Sequence, residues 1–283
     1  MTDHEPITPN ATAQQAKDGL SADTFNAIGN GQYRVMSKHL DFDHIANCRD
    51  LGGIATADGH HVKPGMLLRS ANLHHASDQD LLALREIGVQ NVVDLRTKQE
   101  REAEPDRLLS TWNIYELPSF KEMSELGAQL NGVIAHPGTF ICHMYTDLLV
   151  SKQGIACWSE WLRLLVDRPG SYLFHCTQGK DRTGIAAALI LAVLGVDEQT
   201  IRDEYLQTNL YMNTETPRLV KMVDKVMPMD VEADITQFLV AAPAYFDAMM
   251  QQANQYGGLL GYAQQQLGVT DDDIAFLRAT YLQ

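Results

Sequence analysis

Residues 171–184 read SYLFHCTQGKDRTG, placing a cysteine, a glycine, a lysine, an aspartate, an arginine and a threonine between an apolar run and a helical one. Five residues separate Cys176 from Arg182, and Gly179 is among them. A tight loop of this kind, set where a strand turns into a helix, aims successive backbone N–H groups at one point. Gly179 supplies a backbone angle that other residues avoid. A tetrahedral oxyanion fits such a cradle of Thr177, Gln178, Gly179 and Lys180, and the planar fork of Arg182 can hold two of its oxygens at once. The same dipoles and charge favour thiolate over thiol at Cys176, which predicts a nucleophilic sulfur at neutral pH, with the Thr183 hydroxyl available to assist its departure later.

The spacing alone proves little, because Cys157 and Arg163 in CWSEWLR are also separated by five residues. That pair lies within an amphipathic helical pattern, without a glycine or a preceding strand, so Cys157 reads as a packed side chain. A nucleotide-binding phosphate loop is excluded as well. It requires Gly-Lys followed by Ser or Thr, whereas Asp181 follows Gly179-Lys180, and position 174 is Phe where a glycine is needed.

The elements that must position these residues follow from periodicity. NVVDLR (91–96) and SYLFHC (171–176) are short β-branched and apolar runs, as buried strands are, and 112–117 is a weaker third. Ser77 with Asp80 resembles a capping box opening a helix that Gly88 closes. Residues 155–166 carry Trp158, Trp161, Leu162 and Leu165 on one face, and 183–194 are apolar all round before Gly195. Further helices are expected from Asp197, through 218–226, through 243–256, and from Thr270 with Asp273. Strands alternating with helices predict an α/β fold with a mostly parallel central sheet flanked by helices, followed by a helical C-terminal part. Residues 1–30, poor in large apolar groups, read as a flexible arm before a single domain spanning 31–283.

With 283 residues, 45% of them hydrophobic, a sizeable core can form. The formal charge of −14 argues against nucleic acid as a partner and requires any anionic substrate to be captured locally. No run approaches about 18 apolar residues, so stable membrane insertion is not expected. Four cysteines without C-x-x-C spacing, and a start lacking a signal-peptide pattern, suit a reduced, cytoplasmic protein, although export without such a signal would leave no trace.

HCTQGKDRTG (175–184) resembles the HC-x-x-G-K-D-R-T-G signature of a bacterial family of cysteine-dependent tyrosine phosphatases. NCRDLGGIATADGHHVKPGMLLRSANL (47–73), VVDLRTKQE (92–100), DEYLQTN (203–209) and 256–282 resemble further segments of that family. The resemblance implies a phosphatase-type fold, no cofactor or metal, and hydrolysis of a phosphorylated protein or phosphoinositide through a phosphocysteine. Cys176 would attack phosphorus while Arg182 and the loop amides hold the equatorial oxygens. The acid that protonates the leaving group is open. The loop 116–126 offers Glu116, Glu122 and Glu125 but no aspartate. Asp181, where bound phosphate would favour the protonated form, is the first candidate, and Asp94, at a strand end, the second.

Lys180 is expected at the rim, where similar lysines of lipid phosphatases suggest phosphoinositides. His175 is expected as a buried support. Arg49, Asp50 and Arg69 either flank the cradle or fix the N-terminal segment by salt bridges, and Arg96 reads as structural. His60-His61 and His74-His75 lack metal-ligand spacing. The Met-rich stretch 222–250 is either core or part of a lid over the entrance. Two other functions compete with hydrolysis: a catalytically silent phospho-ligand binding module using the same cradle, and a rhodanese-type sulfur transferase, for which the GKDRTG ending is not expected.

Overall fold

The computed structural model describes residues 36–120, 137–212 and 235–283. The expected arm, the Glu122 and Glu125 candidates, the 218–226 helix and much of the lid segment lie outside these residues.

Among the described residues six strands form one sheet in the order β1-β2-β3-β6-β4-β5. They are β1 (Lys38–His39), β2 (Arg49–Asp50), β3 (Leu67–Ser70), β4 (Asn91–Asp94), β5 (Asn113–Glu116) and β6 (Tyr172–His175). The neighbours β3–β6, β6–β4 and β4–β5 are parallel, while β1 and β2 add antiparallel at one edge. The mostly parallel sheet therefore matches the expectation. Because side chains alternate between faces, a strand covered on both sides must be apolar throughout. In β6, Tyr172 and Phe174 enter one core with Trp158 and Trp161, while Leu173 enters a second with Leu81 and Leu84.

Helix α1 (Asp78–Ile87) covers that second face, opened by the Ser77–Asp80 capping box and closed at Gly88. Helix α2 (Lys98–Ala103) follows β4 and starts with a reciprocal Thr97–Glu100 box. On the opposite side lie α3 (Pro137–Val150), α4 (Lys152–Asp167) and α5 (Asp181–Leu194). The chain continues through α6 (Glu198–Leu206), α7 (Thr208–Tyr211), a 3-10 turn (Ile235–Phe238), α8 (Pro243–Ala253), α9 (Leu259–Leu267) and α10 (Asp271–Tyr281). The α5 helix is buried from Thr183 to Leu194, as its all-round apolar sequence requires. Helix α3 had no counterpart in the sequence pattern. Among the described residues no helix is long and apolar enough to cross a membrane.

Candidate active site

Strand β6 ends at His175, and Cys176 opens the turn into α5. Three consecutive carbonyls of this turn are held from behind. Thr177 O accepts from the Asn72 amide at 3.2 Å, Gln178 O from Asn47 Nδ2 at 3.1 Å, and Gly179 O from Asn47 Nδ2 at 3.0 Å and Arg69 Nη2 at 2.7 Å. Carbonyls drawn backward leave the intervening N–H groups to face forward, which is how an anion nest is made. Gly179 sits at φ 66°, and a Cβ there would lie 2.3 Å from Ser70 O, so only glycine fits.

The groups behind the turn are fixed in their own right. Glu204 on α6 accepts from Arg49 Nη2 at 2.9 Å and Arg69 Nη1 at 2.5 Å, and all three side chains are buried. Arg49 also bonds Asn47 Oδ1 and Thr208 Oγ1. Asp50 accepts the amides of Gly52 and Gly65, both at 2.8 Å. Of the two readings left open for Arg49 and Asp50, the one that has them flank the cradle is corrected here. Arg49 and Asp50 do not line the cradle, because their charged ends are occupied within the protein. Arg49 braces the turn from the rear, through Asn47, and Asp50 ties together the turn after β2.

Arg182 does reach the site, held by a partner that the sequence reading did not single out. Glu100, at the first turn of α2, accepts from Arg182 Nη1 and Nη2 at 2.7 Å each, and from Thr177 Oγ1 at 2.6 Å. Burial opposes ionisation of this carboxyl, but Arg182 and Thr177 outweigh it and hold Glu100 well below the usual range. The signal was present in VVDLRTKQE. A threonine followed three residues later by glutamate starts a helix directly after β4, at the same sheet edge as the turn.

Cys176 is buried, and burial alone would push its thiol up. The Arg182 charge, then the Thr183 hydroxyl and amide, reverse this and leave the thiol below its ordinary value. Thr183 Oγ1 is buried and has no hydrogen-bond partner among the described residues. Cys157, by contrast, is pushed up by burial, as a packed thiol should be.

His175 is buried, with Nδ1 3.2 Å from Cys176 O and Nε2 3.3 Å from Asp106 Oδ2. Burial disfavours its cation, yet Asp94 and Asp106 prevail and push it up to about 9. It therefore stands as a charged support. Asp94 is drawn into a pair with Arg96, whose Nε and Nη2 it accepts at 2.9 and 2.7 Å, so its carboxylate does not enter the cradle as an acid. Asp94, Asp106 and His175 form a group of metal-ligand types, but Arg96 bridges both carboxylates. His60 lies beside Asp58 and His74 beside the Pro105 carbonyl, and neither pair joins the group.

Asp181 opens α5 with its side chain 22% exposed, and Oδ1 accepts from the Tyr145 hydroxyl at 2.8 Å. Lys180 departs from expectation. It is fully buried, and Nζ donates to Phe238 O at 2.6 Å and Val240 O at 3.1 Å rather than standing at the rim. Burial is the main cause of its lowered pKa, against the pull of Asp181 and Cys176. The segment it grips is also fixed by Asn209, whose amide exchanges two 2.8 Å bonds with the Ala241 backbone. Part of the stretch proposed as a lid, Phe238–Val240, therefore packs directly on the turn.

A thiol held low beside a fixed guanidinium thus lies in a turn whose carbonyls are drawn back, at the carboxyl edge of the parallel strands. Residues 40–283 match the profile of the tyrosine phosphatase family, and this chain belongs to that family. It is 34% identical to a Cupriavidus necator protein named as a tyrosine-protein phosphatase, over 88% of this chain and 90% of the relative. Identity to a tyrosine-protein phosphatase of Nostoc commune is 28%, covering 75% and 72%. Identity to the triple specificity protein phosphatase PtpB of Mycobacterium tuberculosis is 25%, covering 83% and 96%.

Proposed function

We propose that this enzyme hydrolyses protein phosphotyrosine, and phosphoserine or phosphothreonine as further substrates, with Cys176 as nucleophile and Asp181 as general acid. The observation that carries the assignment is the set of three backward-held carbonyls at Thr177, Gln178 and Gly179, the arrangement by which a turn frees its amides to hold an anion. In the first step the Cys176 thiolate attacks phosphorus and the P–O bond breaks, while the leaving phenolate takes the Asp181 proton. Arg182, aimed by Glu100, and the amides of 177–182 stabilise the three equatorial oxygens. In the second step Asp181 takes a proton from water, the water oxygen bonds to phosphorus, and the S–P bond breaks, restoring the thiolate assisted by Thr183.

A lysine at the rim was the ground for including phosphoinositides. Lys180 is turned inward onto two carbonyls, so phosphopeptides are the favoured class. The name of the mycobacterial relative supports breadth beyond tyrosine. The test is phosphate release from a panel of phosphotyrosine, phosphoserine, phosphothreonine and phosphoinositide substrates, repeated with Cys176→Ser. Release from phosphotyrosine peptides that the substitution abolishes supports the assignment. Equal ligand binding by both proteins without release would make the cradle a silent binding module.

A further inference from the structure

The acid at the mouth of the cradle is not a lone carboxylate. The Tyr145 hydroxyl, on α3, lies 2.8 Å from Asp181 Oδ1 and 2.8 Å from the hydroxyl of Tyr205, on α6. Both tyrosines are almost wholly buried, at 1% and 2% exposure. Each phenol has one proton. Since Tyr145 donates its proton to the carboxylate, the proton between the two phenols must come from Tyr205, and the chain runs one way: Tyr205 to Tyr145 to Asp181. Bonds aligned in this sense polarise and strengthen one another.

The two carboxylate oxygens are thereby made unequal. Oδ1 faces the Tyr145 donor and, at 3.7 Å, the Lys180 ammonium. Oδ2 accepts no hydrogen bond among the described residues. An oxygen already accepting from a phenol and lying near a cation is a poor seat for a proton, so the acidic hydrogen of Asp181 belongs on Oδ2. Burial first, then the Asp181 charge, raise the Tyr145 phenol well above its ordinary value, so it remains a donor throughout the neutral range.

The rings are held as firmly as the hydroxyls. Tyr145 meets Tyr205 edge-on with centroids 6.1 Å apart and stacks on Tyr245 of α8 at the same separation. A Cβ at position 184 would come within 2.9 Å of the Tyr205 ring, so Gly184 allows that ring to lie against the first turn of α5. Helices α6 and α8 therefore hold the α3 tyrosine that meets Oδ1.

We infer that Tyr145, backed by Tyr205, is a positioning residue for the general acid: it occupies Oδ1 and fixes the proton of Asp181 on Oδ2, the oxygen left for the departing group. The inference rests on the assignment of Asp181 as the acid. The two can be separated by varying how much the leaving group needs a proton. Phenyl phosphate releases a basic phenolate, whereas 2,4-dinitrophenyl phosphate releases an anion that departs unaided.

Asp181→Asn is expected to lose on the order of 10²-fold in kcat/KM, which reports only the step that releases the leaving group, with phenyl phosphate, the low end of the usual general-acid contribution, and much less with the dinitrophenyl ester. Tyr145→Phe should show the same asymmetry at reduced size, about tenfold against less than about twofold, because the acid remains but its proton is no longer placed. Tyr205→Phe should follow in the same direction with a smaller ratio. Tyr262→Phe removes another buried hydroxyl, one that donates to Leu149 O a turn beyond Tyr145 on α3 and makes no bond to Asp181, and serves as the control for simple loss of a phenol. It should leave the ratio of the two substrates unchanged. If Asp181→Asn shows the asymmetry and Tyr145→Phe slows both esters equally, or neither, the positioning role is overturned while the acid stands. If Asp181→Asn itself shows no asymmetry, the acid assignment fails, and the role of Tyr145 fails with it.

Discussion

Glu100→Gln removes one charge and almost nothing else, which makes it a sharp probe of how the cradle is aimed. Glutamine at this helix position still completes the reciprocal cap with Thr97, so α2 should keep its start. What is lost is the carboxylate that accepts both terminal nitrogens of Arg182 at 2.7 Å. An amide offers one acceptor oxygen and turns its NH2 toward the other guanidinium nitrogen, so one charge-assisted bond disappears and the other weakens. A hydrogen bond to a charged group is worth about 1.5–3 kcal/mol net. The Arg182 and Glu100 side chains are 11% and 19% exposed, and water will recover part of the loss. The low end, about 1.5 kcal/mol, corresponds to roughly tenfold in rate.

That energy should appear where the guanidinium works hardest, on the trigonal-bipyramidal transition state. The expected result is a kcat/KM for a phosphotyrosine peptide lowered by about tenfold, and an orthovanadate inhibition constant raised by a similar factor, with a melting temperature only a few degrees lower. Unchanged kcat/KM and vanadate affinity, together with a large fall in melting temperature, would refute the reasoning and make Glu100–Arg182 a stability contact alone.

Three further outcomes follow from the same geometry. Gly179→Ala places a Cβ 2.3 Å from Ser70 O at φ 66° and should cost on the order of 10²-fold in kcat/KM by disordering the amides; retained vanadate affinity would show the turn tolerates the change. His175, raised above its unfolded value, contributes stability that is complete below about pH 6.5 and lost as pH rises through about 9; denaturant midpoints should therefore fall across that window in the wild type and fall less in His175→Gln, and parallel curves would contradict a charged histidine. Lys180→Met removes the donor to Phe238 O and Val240 O, so amide exchange across 235–242 should quicken by at least about tenfold, and unchanged protection would show that the lysine does not hold this segment.

The parts of this fold that were legible in the sequence are those fixed by local chemistry. The Ser77 and Thr270 capping boxes, the Gly88 and Gly195 helix ends and the apolar strand β6 each state their conformation within a few residues. The turn from Cys176 to Arg182 belongs with them, since strand, glycine and buried helix all agree. Helix α3 escaped because its sequence, PGTFICHMYTDLLV, opens on Pro-Gly, carries no acidic group in its first turn, and is apolar on much of its circumference, leaving little periodic contrast. β1 and β2 are two residues long and exist only through pairing.

Partnerships across long separations were the other blind spot. Glu100 reaches Arg182 across 82 positions and Glu204 reaches Arg49 across 155, and neither distance leaves a mark in composition or spacing. Lys180 shows the complementary failure. A lysine in a glycine-containing loop reads as solvated, and only the return of the chain at 238–240 supplies the carbonyls that make its burial affordable.

The central claim is that residue 176 is a thiolate poised inside an anion cradle, and alkylation by iodoacetate as a function of pH tests it most directly. The rate at Cys176 should titrate with a midpoint below that of a free thiol and be suppressed by orthovanadate occupying the cradle. A midpoint at or above that of a free thiol, with no protection by vanadate, would contradict the account.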